Sequence, residues 1–280
     1  MKRLGLAYNP TSPMAVSLRE RAMAWCAAHD VEGWVSEAAD RATLLAQLPE
    51  TDILAVLGGD GTFLRGAWAV AHVDVPILGV NGGRVGFLSK VEPDALESTL
   101  DLLAADRFSL DPRMVIEARI LRKDGAAPLD EMHVGLNDAA IVRGSQARVM
   151  RLELSVDDSH VATYIADGIV VASPTGSTGY SNSAGGPILD PTARNLVVTP
   201  IAAYLAAIRS IVVSPSHAVT VRVIDAFDCI VSIDGQEDVK LHIGDAVQVT
   251  ARDEPIHVVQ PEGAIPFWDL LRRKAQLLPS

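Results

Sequence analysis

One carboxylate, Asp60, stands where an apolar run ends in a cluster of glycines, in Thr51 to Thr62, TDILAVLGGDGT. Five apolar residues, Ile53 to Leu57, predict a strand buried on both faces of a parallel sheet. The chain must then turn, and Gly58, Gly59 and Gly61 permit positive φ and a close approach of ligand to backbone. Thr62 and the following FLRGAWAVA read as the start of a helix whose free N–H groups suit a phosphate. A carboxylate in that place could accept the proton of a hydroxyl held within hydrogen-bond reach. By itself the motif equally describes a strand-turn-helix joint whose aspartate caps the helix.

Three other stretches carry polar groups at spacings that could serve a ligand. Gly135-Leu136-Asn137-Asp138 places an amide beside a carboxylate after a predicted strand. Neighbouring strand residues point to opposite faces, so both side chains serve one ligand only if a turn or bulge intervenes; alone, the pair describes a turn. Asp167 to Ala172 is a buried strand with an acid at its head, feeding SPTGSTGYSNSAGGP. That run is rich in hydroxyl and backbone donors and nearly free of charge, which suits a nucleoside, and Tyr180 offers a ring to stack on a base. A long surface loop is the plainer reading, but long structureless loops in compact domains tend to be functional. Ser232-Ile233-Asp234-Gly235-Gln236 is by itself an ordinary hairpin turn. The seven histidines are scattered, and no HExxH, GxSxG or GxxxxGK[ST] pattern occurs, so no protein metal set and no Walker lysine is expected. Arg65, Arg84 and Lys90 lie near the glycine turns and read as solvated surface charges.

The elements needed to position these residues alternate in the first third of the chain. Leu4 to Tyr8 predicts a strand and Pro13 to Ala28 a helix, with Met14, Leu18, Ala22 and Trp25 on one face. NPTSP follows the first strand instead of GxGxxG, which argues against a standard dehydrogenase nucleotide fold. A strand near Gly33 to Ser36, a helix near Asp40 to Leu48, the strand Ile53 to Leu57 and the strand Pro76 to Val80 continue the series. The last of these ends in NGGRVGFL, a second glycine turn. Pro93 to Leu103 predicts a helix. Near Asp106 to Pro112 the period changes to alternation. Met114 to Leu121, Val149 to Val156, Val219 to Ile224, Ile230 to Ile233, Ala246 to Thr250 and Ile256 to Val259 then predict strands, with turns at Asp124-Gly125, Asp157-Asp158 and Asp234-Gly235. From Pro266 the pattern is helical again. The expected organisation is an N-terminal parallel α/β domain, residues 1–108 plus 260–280, and a β-rich domain, residues 109–259, with the final helix packing back on the N-terminal domain.

Composition excludes several classes. The chain has 280 residues, 49% hydrophobic and 21% charged, as expected for a globular protein with ample core. A net charge of −11 with no Lys/Arg block argues against nucleic acid or an anionic membrane as partner. An anionic ligand would need helix termini, backbone amides or a divalent cation. Cys26 and Cys229 match no zinc or CxxC spacing and read as buried thiols in a reducing cytoplasm. The opening apolar run is too short for a signal peptide, and Asn195 to Val213 is too interrupted to span a membrane.

GGDGT, NGGRVGFL, Asn-Asp, DGIVVASPTGSTGYSNSAGGPI and SIDGQ, in that order and at these separations, resemble the bacterial NAD kinase family over essentially the whole chain. GGDGT alone also occurs in diacylglycerol and sphingosine kinases, whereas TGSTGYS after an Asp-Gly is far more specific. The resemblance implies a Rossmann-like domain of the GGDGT kinase type and Mg²⁺-dependent transfer of the γ-phosphoryl group of ATP, or in some relatives polyphosphate, to the 2′-hydroxyl of the adenosine ribose of NAD. It implies a homodimer or homotetramer in the cytoplasm. Carried over by position, it makes Asp60 the general base, with Gly59, Gly61, Thr62 and Arg65 around the phosphates and ribose and Phe87 the aromatic of the GFL motif. Asn137 and Asp138 would hold the adenosine, and Asp167 would reach NAD, often from a neighbouring subunit. Thr178, Gly179, Tyr180, Ser181, Asn182 and Ser183 would contact adenine and ribose, with Arg148 and Gln236 near the dinucleotide.

The sequence departs from the family pattern at four places. Asp138 stands where many relatives have glutamate, one methylene shorter with the charge kept. Ile165 occupies a position that bears on the choice of NAD or NADH. Gly179 replaces the usual alanine, and PIAAYLAAIRSI lacks prolines and a histidine that relatives often carry at an interface. A non-catalytic dinucleotide sensor is disfavoured by an intact Asp60. A GGDGT-type lipid kinase is disfavoured by the polar TGSTGYS loop.

Overall fold

A computed structural model describes residues 1–83, 86–123, 132–144, 148–204 and 208–276. Arg84 and the turn expected at Asp124-Gly125 lie outside the described residues. The chain forms two compact units, Met1–Arg113 with Ile256–Ser280, and Met114–Pro255. The sequence reading placed these limits at 108/109 and 259/260. The physical reason for the difference is strand pairing: Phe108–Arg113 and Ile256–Pro261 pair antiparallel along six residues, and Val258 opposite Ile77 joins them to the first sheet.

That first sheet has the spatial order Glu32–Glu37, Arg3–Tyr8, Ile53–Gly58, Ile77–Asn81, Ile256–Pro261, Phe108–Arg113. Its first four strands are parallel. Ile53–Gly58 is buried at every position, as the continuous apolar run predicts for a central parallel strand covered on both faces. One face is covered by Leu18, Ala22 and Trp25 of the helix Pro13–Ala28 and by Leu96, Leu100 and Leu103 of the helix Leu96–Ala104. Trp25 Nε1 donates to Asp101 Oδ1 at 2.8 Å, which gives the buried indole the partner it needs between these helices. Met14, expected on the inner face, is 44% exposed. The final helix Phe267–Gln276 returns to this unit: Leu270 is buried, the Phe267 ring lies 6.0 Å from that of Phe87, and Lys274 Nζ sits 4.2 Å over the Phe87 ring.

The second unit contains two antiparallel six-stranded sheets. One runs Ser159–Ala166, Met150–Val156, Val219–Asp225, Ala246–Ala251, Ile116–Leu121, Met132–Gly135. The other runs Ile211–Val213, Leu196–Ile201, Gly168–Ala172, Asp138–Arg143, Cys229–Ile233, Glu237–Leu241. A single apolar cluster joins them, with Ile120, Leu152 and Val247 from one sheet and Ile141, Val171 and Val231 from the other. Two inner faces interdigitating in this way make a β-sandwich core. The region 195–213, rejected above as a membrane span, supplies two of its strands. No helix among the described residues is long and apolar enough to cross a membrane.

Candidate functional site

In the first unit the two glycine turns lie side by side, because Gly58 and Asn81 are paired at the ends of adjacent parallel strands. The helix after the first turn begins at Asp60, two residues earlier than expected, with Gly59 as its N-cap and no side-chain cap bond. Asp60 therefore does not cap its own helix. Its carboxylate reaches across to the second turn: Oδ2 accepts from Phe87 N–H at 2.9 Å, and Oδ1 accepts from Leu88 N–H at 3.1 Å and Ser89 N–H at 3.2 Å. A carboxylate offers about four lone-pair sites, so three amides leave one vacant. Gly86 is dictated by this contact, since a Cβ there would fall 1.8 Å from Asp60 Oδ1. The glycines of GGDGT do not owe their presence to positive φ; among the described glycines only Gly185, Gly235, Gly244 and Gly263 adopt it. Gly59 and Gly61 instead leave open space where a side chain would stand. Thr62 closes the first turn through its N–H to the Gly59 carbonyl at 2.9 Å, while Arg65 is exposed one helical turn on.

The second unit repeats the device. The bend at Leu136-Asn137, ahead of the strand Asp138–Arg143, is held by Asp234: its carboxylate accepts the N–H groups of Leu136, Asn137 and Asp138 at 2.7, 2.8 and 3.0 Å. Asp234 and Gly235 have φ of 52° and 63°, as a type I′ hairpin turn requires. This bend is the interruption that lets Asn137 and Asp138 escape strict alternation. The loop after Gly168–Ala172 closes over it, with Ser173 N–H donating to the Asn137 carbonyl at 2.8 Å. Gly176 approaches so near that a Cβ would lie 2.1 Å from that carbonyl oxygen.

The hydroxyls of that loop are used differently from expectation. Ser173 Oγ donates to the Leu136 carbonyl, Ser177 Oγ to Pro174, Thr178 Oγ1 to Thr175 and Ser183 Oγ to Gly179, while Ser181 Oγ pairs with Thr199 Oγ1. They brace the loop and spend their hydrogens internally. The groups left for a ligand are others. Tyr180 is 43% exposed, Asn182 is exposed and Gly179 is partly exposed. Asn137 Oδ1 and Thr175 Oγ1 are buried without a partner. Among the described residues the buried Asp138 carboxylate accepts no hydrogen bond either. Buried polar atoms are nearly always satisfied, so this concentration makes the spot a candidate for a ligand or ordered water that supplies donors.

Electrostatics sharpen the picture. Burial, with the Asp234 charge nearby, pushes the Asp138 carboxyl up to about 7. Burial also raises Asp234, to about 6, against the pull of its three amides. Those amides favour the charged form of Asp234, so Asp138 is the member of the pair that holds a proton. The Tyr180 phenol is raised by burial and by the charges of Asp138 and Asp167, against the pull of Arg143. Asp167 is bound to Arg143, Nε to Oδ1 3.1 Å. Arg148 lies apart from these contacts, its guanidinium 5.3 Å above the ring of the exposed Phe227. Gln236 closes the hairpin by donating its N–H to Ile233 O at 2.8 Å. Sequence reasoning missed Asp234, Arg143 and Thr175. The only available signal was the Asp-Gly turn, which carries no hint of a partner almost a hundred residues away. No group of three or more His, Cys, Asp or Glu among the described residues could hold a metal ion.

Residues 1–108 match the family model for the ATP-NAD kinase N-terminal domain and residues 136–260 that for the ATP-NAD kinase C-terminal domain. The chain belongs to the NAD kinase family. The NAD kinase of Symbiobacterium thermophilum is 40% identical over 283 residues, covering 98% of this chain and 99% of that one. The NAD kinase of Gemmatimonas aurantiaca is 39% identical over 248 residues, 88% and 84% of the two chains. Among solved structures, an NAD kinase from Archaeoglobus fulgidus in complex with ATP superposes with a TM-score of 0.78 at 25% identity, covering 99% of this chain and all of that one. Yeast NADH kinase complexed with NADH gives a TM-score of 0.83 at 22% identity over 99% and 87%, a likeness of fold. NAD kinase membership agrees with a parallel α/β unit carrying GGDGT and a β-rich unit carrying the Asn-Asp bend.

A carboxyl raised on folding adds stability that is fully present below its ordinary value of 3.8 and is lost as pH rises through about 7. Asp138→Asn is therefore expected to melt above the parent protein at pH 8, by on the order of 1–3 kcal/mol, with the gain shrinking by pH 5. A difference that is the same at both pH values would show that Asp138 titrates normally.

Proposed function

We propose that the chain works as an NAD kinase in which Asp60 takes the proton of the adenosine ribose 2′-hydroxyl as that oxygen attacks the γ-phosphorus of ATP. The reading is carried by one observation, the carboxylate of Asp60 fixed by three amides with a single lone pair vacant on Oδ2. A ribose hydroxyl is a poor nucleophile, and a base held at hydrogen-bond distance is worth about 10² to 10⁴-fold. Because Asp60 is held by backbone donors, its position does not depend on the rotamer of another side chain. Gly59 and Gly61, open on their Cβ side, let phosphate approach the first turn of the helix, whose N–H groups favour anions.

In the β-rich unit, Asn137 and Asp138 bind the adenosine of NAD. Asp138 accepts from a ligand N–H or O–H, which satisfies a carboxyl that has no protein donor and draws it toward its charged form. The exposed ring of Tyr180 stacks on the adenine, with Gly179, Thr178 and Asn182 along the same edge and Ser181 and Ser183 supporting the loop from within. Asp167, steadied by Arg143, contributes a second acceptor for ribose hydroxyls. Phe87, packed against the final helix, orders the segment whose amides hold Asp60. Thr62, Arg65, Arg148 and Gln236 remain as contacts proposed from family position alone.

Magnesium enters this reading as the companion of the ATP phosphates, which supply most of the ligands such an ion needs. When bound it neutralises phosphate charge. A cytoplasmic location and a homodimer or homotetramer belong to the same proposal.

Purified protein given NAD, ATP and Mg²⁺ is expected to form NADP, read by coupling to an NADP-specific dehydrogenase. NAD binding without NADP would instead identify a sensor, and phosphorylation of diacylglycerol or a sphingoid base a lipid kinase. Asp60→Asn should lower kcat by about 10² or more with the KM for NAD within a fewfold of the parent. Unchanged turnover in a folded variant would remove Asp60 from the chemistry.

A further inference from the structure

Behind the segment that holds Asp60, the first unit contains a cavity of about 280 Å³, lined by the strand Ile77–Asn81, residues 88–92, the helix Leu96–Ala104 and residues 258–265. Its walls include Leu78, Leu88, Val91, Leu102, Val258 and Ile265, and among the described residues no aromatic side chain lines it. One cation does. Lys90, expected at the surface as a solvated charge, is instead partly buried. Its ammonium has a single hydrogen bond, 3.4 Å to Gln260 Oε1, although it carries three donors.

Further donors near Lys90 stand without partners, while the other uncharged side-chain acceptors in the cavity wall are the Ser98 and Thr99 hydroxyls. Arg113 is buried and bonded to Asp111 at 2.6 Å, yet its Nε has no partner, and Gln260 Nε2 is a second buried donor with none. The antiparallel register sets Asp111 opposite Val258 and Ser109 opposite Gln260, so these residues share one face of the sheet edge. Two cations thus stand against one carboxylate. Burial and the Arg113 charge hold the Lys90 ammonium below its ordinary pKa, against the pull of Asp111. The acids at the rim do not supply the missing charge: Glu92 is exposed, and Glu262 is tied to Arg107 at 2.7 Å.

We propose that this cavity binds a small aliphatic monocarboxylate, its carboxylate on Lys90 and its alkyl chain among Leu78, Leu88, Val91, Leu102 and Val258. A charged acceptor answers the excess of donors, and branched aliphatic walls answer an alkyl chain better than a flat ring. The volume lies just below the ~300–1,000 Å³ of sites for drug-sized ligands, which limits the tail to a short or medium chain. Leu88 lines the cavity and also donates its N–H to Asp60, so an occupant touches the residue that fixes the proposed base. The site itself stands whether or not Asp60 is that base.

Calorimetric titration of the full chain with butanoate, hexanoate and octanoate tests this. Affinity is expected to rise about fourfold per methylene, from ~0.8 kcal/mol per CH₂ at 1.4 kcal/mol per tenfold, until the cavity is full. Octanol, with the same tail and no charge, should bind at least about tenfold more weakly, as should octanoate to Lys90→Met, since each loses a charged hydrogen bond. Ala95→Leu, which narrows the cavity and leaves the charge, should weaken octanoate and spare butanoate, and it provides the test if Lys90→Met does not fold. No saturable binding of octanoate to the parent protein, equal binding of octanol, or octanoate affinity unchanged in folded Lys90→Met or Ala95→Leu would overturn the proposal.

Discussion

Three consecutive backbone N–H groups at a bend point to one side and have no strand or helix partner, so they need an acceptor or water. In both units that acceptor is a single aspartate. Asp60 gathers the amides of residues 87–89 and Asp234 those of residues 136–138. Each bond to a charged acceptor is worth about 1.5–3 kcal/mol in general, and leaving the donors buried without one would cost comparably. The consequence is geometric as much as energetic. Each aspartate fixes a stretch of backbone that would otherwise be a loop of glycines and small residues, and each fixed stretch carries groups proposed to touch substrate.

The two anchors differ in what else they do. Asp234 holds as many amides as Asp60, but its effect is indirect: by holding the bend it presents Asn137, and its charge adds to the burial that raises Asp138. Asp60 stands between Gly59 and Gly61, both open on their Cβ side, and is proposed to act on the substrate directly. A carboxylate that is both brace and base is positioned without relying on side-chain order, which lowers the entropy lost on reaching a reactive geometry.

Much of the parallel sheet was legible in the sequence because it rests on local signals. Ile53 to Leu57 is a continuous apolar run, and Pro13 to Ala28 has helical spacing. The Asn-Asp pair and the TGSTGYS loop were legible as polar anomalies. What escaped was set by contacts between distant residues. Nothing near Asp234 announces Leu136, nothing near Asp60 announces Phe87, and Gly86 reads as a flexible glycine until the Asp60 oxygen beside it is known. Lys90 misled for the same reason, since its burial is decided by the strand Ile256–Pro261, which returns to the first sheet from the far end of the chain. The loop hydroxyls of Ser177 and Ser181 misled because composition reports donors without saying where they are spent.

Native-state hydrogen exchange at single-amide resolution tests the anchoring most directly. In the parent protein the amides of Phe87, Leu88 and Ser89, and those of Leu136, Asn137 and Asp138, should exchange slowly as two sets. In folded Asp234→Ala the second set should become fast while the first stays protected. Fast exchange of either set in the parent protein, or continued protection of residues 136–138 in that variant, would contradict the account.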